Sequence, residues 1–259
     1  MTITVKMRGT CGELSQGFYR GEPILITCPI EKFSTVTISD EFAGVEGLGE
    51  KSLAMLDKIL KYFRADFKFG LRLTSELPRG KGMASSSADL AAVAQAVANF
   101  LGKTLSPAET GRLCAKIEPT DGIFYEGVVV MNPLTGQLIK KIHVEEKFPI
   151  AIFDYGGEVN TLKFNRRSDF EFPTLDDRIN FEFIKKSALA NQKILPKRGL
   201  EELMNFAETL GAVAVNVAHS GTVTGIFFRE NDSRVEEKIA AVQSKFDFLK
   251  FLMLTRLAI

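Results

Sequence analysis

The chain has 259 residues, 45% of them apolar and 25% charged, and a net charge of +1. That is enough for one large domain or two modest ones, and the charge balance gives no reason to expect a nucleic-acid or membrane-surface partner. Three scattered cysteines and two histidines leave zinc chemistry without a ligand set and fit a reducing, cytoplasmic setting; neither a membrane-spanning run nor a signal-peptide core is expected.

In chain order, Thr2 to Met7 reads as a strand that runs into Arg8-Gly-Thr-Cys-Gly-Glu-Leu-Ser-Gln-Gly17. That turn-like stretch offers Glu13 and Gln16 to a polar substrate. Ile24–Pro29 and Ser34–Ser39 read as two further strands, and 44–49 as a loop. Leu53, Leu56, Ile59, Leu60 and Phe63 share one face of a helix over 52–63. Phe67, Phe69, Leu71 and Leu73 alternate with polar or small residues, which is the period of a half-buried strand.

The stretch that follows carries the most information. Pro78, Gly80, Lys81, Gly82, Met83 and Ala84 lead into Ser85, Ser86 and Ser87, then into an Ala-rich helical pattern ending near Gly102. Strand, glycine loop, hydroxyls and helix make an anion site. Glycine lets backbone approach a ligand, and the first turn of a helix presents unpaired N–H groups with partial positive charge. The spacing is neither a Walker loop, since Gly82 follows Lys81, nor a dinucleotide fingerprint.

Ser106-Pro-Ala-Glu109 opens a helix with a capping box. Pro119 ends it, so Glu118 and Asp121 sit at a helix exit, where a carboxylate gains nothing from the dipole. That mild cost favours a functional role for both. A hairpin is expected across 128–144 and a buried strand over 148–155, with a domain boundary near 150. The loop 156–167 holds Arg166 and Arg167, either of which could grip a carboxylate or phosphate with two parallel hydrogen bonds. Helices are expected over 176–192, 200–210 and 235–246. Strands are expected over 211–218, 226–229 and 248–255, with a glycine and hydroxyl-rich turn at 219–225. His219 in that turn is read as structural.

These parts suit phosphoryl transfer, which needs a polyphosphate cradle, a divalent cation and a group that readies the attacking hydroxyl. Loop 78–87 is the cradle. A serine there with Glu118 could hold Mg2+, and Asp121 is the best-placed general base.

Pro78-x-Gly80-x-Gly82-Met83-Ala84-Ser85-Ser86-Ser87-Ala88 resembles the Pro-x-Gly-x-Gly-Leu-Gly-Ser-Ser-Ala motif of the galactokinase–homoserine kinase–mevalonate kinase (GHMP) superfamily. Residues 5–17 look like its first motif and 218–225 like its third. The resemblance implies an α+β fold of two domains. Residues 1–150 would form an ATP-binding domain with a left-handed β-α-β unit, and 151–259 a ferredoxin-like domain. It implies ATP and Mg2+ as cofactors, Ser86 as metal ligand and Asp121 as base. The metal carboxylate is Glu118 or, as its spacing in other members allows, Glu109.

Within the superfamily the chain is most similar to the L-threonine kinases of cobalamin biosynthesis, through residues 11–17, 118–121, 161–166 and 218–222. That likeness implies phosphorylation of the threonine hydroxyl, with Glu13, Gln16, Thr161, Asn165, Arg166, Ser220 and Gly221 around the amino acid. An acid such as Glu13 would take its ammonium and Arg166 its carboxylate. A homodimer is carried as an expectation. The rival readings are a sister kinase acting on homoserine or mevalonate, and a non-catalytic nucleotide sensor.

Overall fold

The computed structural model describes residues 1–159 and 169–259. The expectations placed on Thr161, Asn165, Arg166 and Arg167 lie outside the described residues. The fold is α+β, with the described strands joined in one mixed sheet.

Two long strands form its spine: β1 (Thr2–Tyr19) and β2 (Glu22–Ser39), antiparallel from Thr2↔Ser39 to Tyr19↔Glu22. The turn residues Arg20 and Gly21 both have positive φ, the two-residue hairpin geometry that matches strand twist. This corrects two expectations. The run 8–17 is not a separate turn but strand carrying three register shifts, between Arg8 and Ser15. Residues 24–39 form one strand, not two. Such bulges bend a strand without ending its pairing, so a glycine-rich stretch can remain in the ladder.

The strand β3 (Val45–Glu46) lies inside the expected loop, held parallel to β4 (Gly70–Ser75), which pairs with β2. β4 begins three residues later than its alternation suggests. Helices α1 (Glu50–Phe63), α2 (Ser85–Phe100) and α3 (Pro107–Ala115) pack over this half. Twelve of the sixteen residues of α2 are buried, as expected of a helix apolar nearly all round. The Ser106–Glu109 capping box at α3 is formed as predicted. The hairpin β5 (Val129–Asn132) and β6 (Gln137–Lys141) is present and pairs back onto β2.

Then come β7 (Pro149–Asp154), α4 (Phe181–Asn191), α5 (Leu200–Thr209), β8 (Ala214–Val217), β9 (Val223–Phe227), α6 (Val235–Lys245) and β10 (Lys250–Arg256). The antiparallel order β10-β7-β9-β8 is that of a ferredoxin-like unit. Helix α4 starts five residues later than expected, where Asn180 caps it through Phe183 N. The turn before β9 is also shorter than predicted. β8 reaches β1 through Glu13↔Val217, and that junction sets the glycine motif of β1 against the turn after β8.

Candidate active site

The loop 76–84 leaves β4 and reaches α2 through three positive-φ residues, Gly80 (+71°), Gly82 (+81°) and Ala84 (+54°). Its carbonyls face the protein. Gly80 O accepts from Val159 N, Lys81 O from Thr222 N and Val223 N, Gly82 O from Gly12 N, and Met83 O from Thr10 N. Among the described residues, none of the backbone N–H groups from Gly80 to Ser87 donates a hydrogen bond. Helix α2 begins without a side-chain cap, Ala84 occupying the N-cap position. A row of free N–H groups ending in an uncapped helix start has the chemistry to receive an anion.

The glycines answer to packing as well as to ligand approach. A Cβ at Gly82 would lie 2.5 Å from Ala218 Cβ and 2.8 Å from Gly221 Cα, and one at Gly221 would lie 2.2 Å from Lys81 O. The third motif is therefore locked against the second, with Gly221 serving the loop. The Lys81 ammonium is turned away from the loop's mouth: it pairs with Asp154 at 2.7 Å and Gly157 O at 2.6 Å. Burial alone would push the Asp154 carboxyl up, but the hydrogen bonds from Lys81 and Thr222 hold it below the ordinary value. Met83 is in the core, 1% exposed.

Beside the loop lies a cleft of about 580 Å³. Its walls include Gly80, Gly82, Ser85, Ser86 and Ser87 on one side and Glu118 and Asp121 on another. Glu13, Gln16, His219 and Ser220 also line it. The start of α1, Gly49 to Ser52, also faces the cleft and likewise has no side-chain cap. Asp121 meets α2 directly. Its Oδ2 lies 3.5 Å from Ser87 Oγ, and its N–H donates to that hydroxyl at 3.4 Å. Burial, then the nearby charges of Glu13 and Glu118, push the Asp121 carboxyl up to about 8, against the Ser87 hydrogen bond.

The donor set fits Mg2+. Glu118 is buried and paired with Lys51, and Ser86 is half-buried at the helix start. Among the described residues no group of three or more His, Cys, Asp or Glu side chains could hold a metal unaided. One carboxylate and one hydroxyl beside a phosphate cradle is the partial oxygen set that Mg2+ completes with substrate phosphates and water. Glu109, the other candidate, is spent on the Ser106 cap and on Tyr62, outside the cleft.

Glu13 and His219 belong to a chain of polar contacts. Glu13 Oε2 accepts from His219 N at 3.0 Å and lies 3.2 Å from His219 Nδ1. His219 Nε2 lies 2.9 Å from Ser187 Oγ. His219 is buried between Glu13 and Ser187. Sequence reasoning did not single out Lys51, Asp154, Asn191 or Lys197. A charged residue ending a buried strand was a signal for Asp154. Lys197, buried and donating to Ala218 O at 2.9 Å, had none; burial pushes its ammonium down to about 8, and Glu13 opposes this.

Residues 51–125, which include the glycine–serine loop, Glu118 and Asp121, match the GHMP kinases N terminal domain family. An L-threonine kinase of Salmonella typhimurium is 30% identical, the match covering 89% of this chain and 85% of that one. The chain belongs to the GHMP kinase family. An L-threonine kinase of Citrobacter freundii is 28% identical over 88% of this chain and 86% of its own. Among solved structures, the mevalonate kinase of Methanococcus jannaschii is similar at TM-score 0.67 and 15% identity, covering 100% and 98% of the two chains. A homoserine kinase from Cytophaga hutchinsonii is similar at 0.65 and 15%, covering 98% and 95%. These structures share the fold. The chain is a small-molecule kinase that uses ATP. No helix among the described residues is long and apolar enough to cross a membrane.

Proposed function

We propose that this kinase transfers the γ-phosphate of ATP to the side-chain hydroxyl of L-threonine, giving L-threonine O-3-phosphate for the aminopropanol linker of cobalamin. The observation that carries the reading is Asp121 held against Ser87 at the uncapped start of α2. A proton acceptor and a phosphate receptor thus share one cleft. The two L-threonine kinase relatives support the choice of alcohol.

In this reading the free N–H groups of residues 80–87 bind the polyphosphate, and Asp121 takes the proton of the attacking hydroxyl. Ser86 and Glu118 would hold Mg2+, which when bound neutralises phosphate charge and lowers the cost of ionising Asp121. Glu13, oriented by His219, would take the substrate ammonium. Residues 1–150 would form the ATP-binding part and 151–259 the ferredoxin-like part, with the reaction in the cytoplasm.

The test is ADP release with Mg-ATP against L-threonine, L-serine, L-homoserine and mevalonate, with the product identified by phosphorus NMR. L-threonine should give the highest kcat/KM by at least tenfold. A higher value for homoserine or mevalonate would overturn the substrate assignment while leaving the kinase chemistry in place.

A further inference from the structure

Asn191, the last residue of α4, is 2% exposed, faces the cleft, and has an amide nitrogen without any hydrogen-bond partner. Its backbone is fixed: Asn191 O accepts from Ile194 N and Leu195 N, both at 2.9 Å. A buried amide donor left unpaired is costly and rare, because it has given up water for nothing. The two ends of a carboxamide have nearly the same shape, so a half-turn about the Cβ–Cγ bond exchanges them. As placed, the nitrogen end wants a partner, and the cleft that Asn191 lines can supply one.

The position is built into the site. Ser187, one helical turn earlier on the same face of α4, accepts from Gln16 N at 2.8 Å and donates to Gln16 O at 3.0 Å. The same hydroxyl touches His219, which holds Glu13. Asn191 is therefore set one turn along from the contact that ties α4 to the anionic end of the cleft. A carboxylate, Glu13, and a neutral donor, Asn191, line the same cleft, and a zwitterion carries the charges that suit each.

We propose that Asn191 is a specificity residue whose amide donates to the α-carboxylate of the amino-acid substrate, while Glu13 receives its ammonium. The proposal rests on the amino-acid reading of the substrate and names a group for the carboxylate within the described residues. It predicts that the enzyme distinguishes an amino acid from the same molecule with its carboxylate reduced to an alcohol.

The test compares L-threonine with L-threoninol in the wild type, Asn191→Ala and the isosteric Asn191→Asp, which keeps the volume if the smaller residue impairs folding. Losing a hydrogen bond to a charged group should raise KM for L-threonine roughly 10- to 100-fold. Asn191→Asp should raise it further by repelling the carboxylate, with KM for ATP and kcat changed less than threefold. KM for L-threoninol should stay within about twofold in both variants. Equal rises for the two ligands would mark a structural role, and unchanged KM for both would mark none; either result overturns the proposal. A wild type that phosphorylates no amino acid would sink the substrate reading and this inference with it. A wild type active on L-threonine whose preference over L-threoninol survives both substitutions would sink this inference alone.

Discussion

Replacing Asp121 by Asn should abolish most turnover and yet stabilise the nucleotide-free protein, two effects with one cause. Burial and the charges of Glu13 and Glu118 raise this carboxyl from 3.8 to about 8. At about 1.4 kcal/mol per pH unit, the ionised form is disfavoured in the fold by about 6 kcal/mol. The sign follows from proton binding. Between pH 4 and 8 the folded protein holds a proton that the unfolded chain has released, so this group's contribution to stability is full below pH 4 and falls until pH 8. The Asn side chain has no such slope. Part of the shift comes from neighbouring charges that remain in the variant, so only part of this cost is relieved, and about 2–3 kcal/mol is expected above pH 8. The assay is urea denaturation followed by far-ultraviolet circular dichroism at pH 5, 6.5 and 8.5, paired with kcat under Mg-ATP and L-threonine. Stabilisation should grow with pH while kcat drops by roughly 10²- to 10⁴-fold. A variant no more stable than wild type at pH 8.5 would refute the buried-charge reasoning; a near-normal kcat would remove Asp121 as the base.

Gly82→Ala should cost several kcal/mol, since its Cβ meets Ala218 and Gly221 at under 3 Å and φ is +81°. Thermal melting and ATP affinity should both fall, whereas for Gly80→Ala, whose nearest neighbours are Glu158 side-chain atoms at 3.2–3.5 Å, they should fall less; equal losses would count against the packing account. Glu118→Gln should weaken the Mg2+ dependence of nucleotide binding by about tenfold, read by calorimetric Mg2+ titration, and an unchanged midpoint would move the metal elsewhere. Lys197→Met should flatten the pH dependence of stability above pH 8. The wild type gains stability between about pH 8 and 10.5, where the unfolded chain keeps a proton that the buried ammonium has lost, so denaturation at pH 7.5 and 10 separates the two proteins.

Much of the local structure was legible along the chain. The capping box at Ser106 and Glu109, the glycine–serine entry to α2 and the 129–141 hairpin are set by contacts within a few residues, which sequence spacing reports directly. The strand limits were less legible. Residues 8–17 look like a turn by composition, yet pairing with β2 keeps them in the ladder because bulges absorb their irregularity. Tertiary pairing outweighed local preference there.

The polarity of the cradle was decided by residues far away. The partners that fix the loop's carbonyls inward come from β1, from Val159 and from Thr222 and Val223 at the start of β9, and Lys81, which reads as a phosphate ligand, is claimed by Asp154 across 73 residues. Hydrogen bonds beside the cleft bring together Glu13, Ser187 and His219, separated by up to 206 residues. Asn191 carried no mark of its own in the sequence, because an unpaired amide is defined by what surrounds it. Chain order determined which chemical groups this protein owns and which local turns present them. Only the closing of β8 onto β1 decided which of those groups share a cleft, because charge and hydrogen bonding act over a few ångströms of space regardless of separation along the chain.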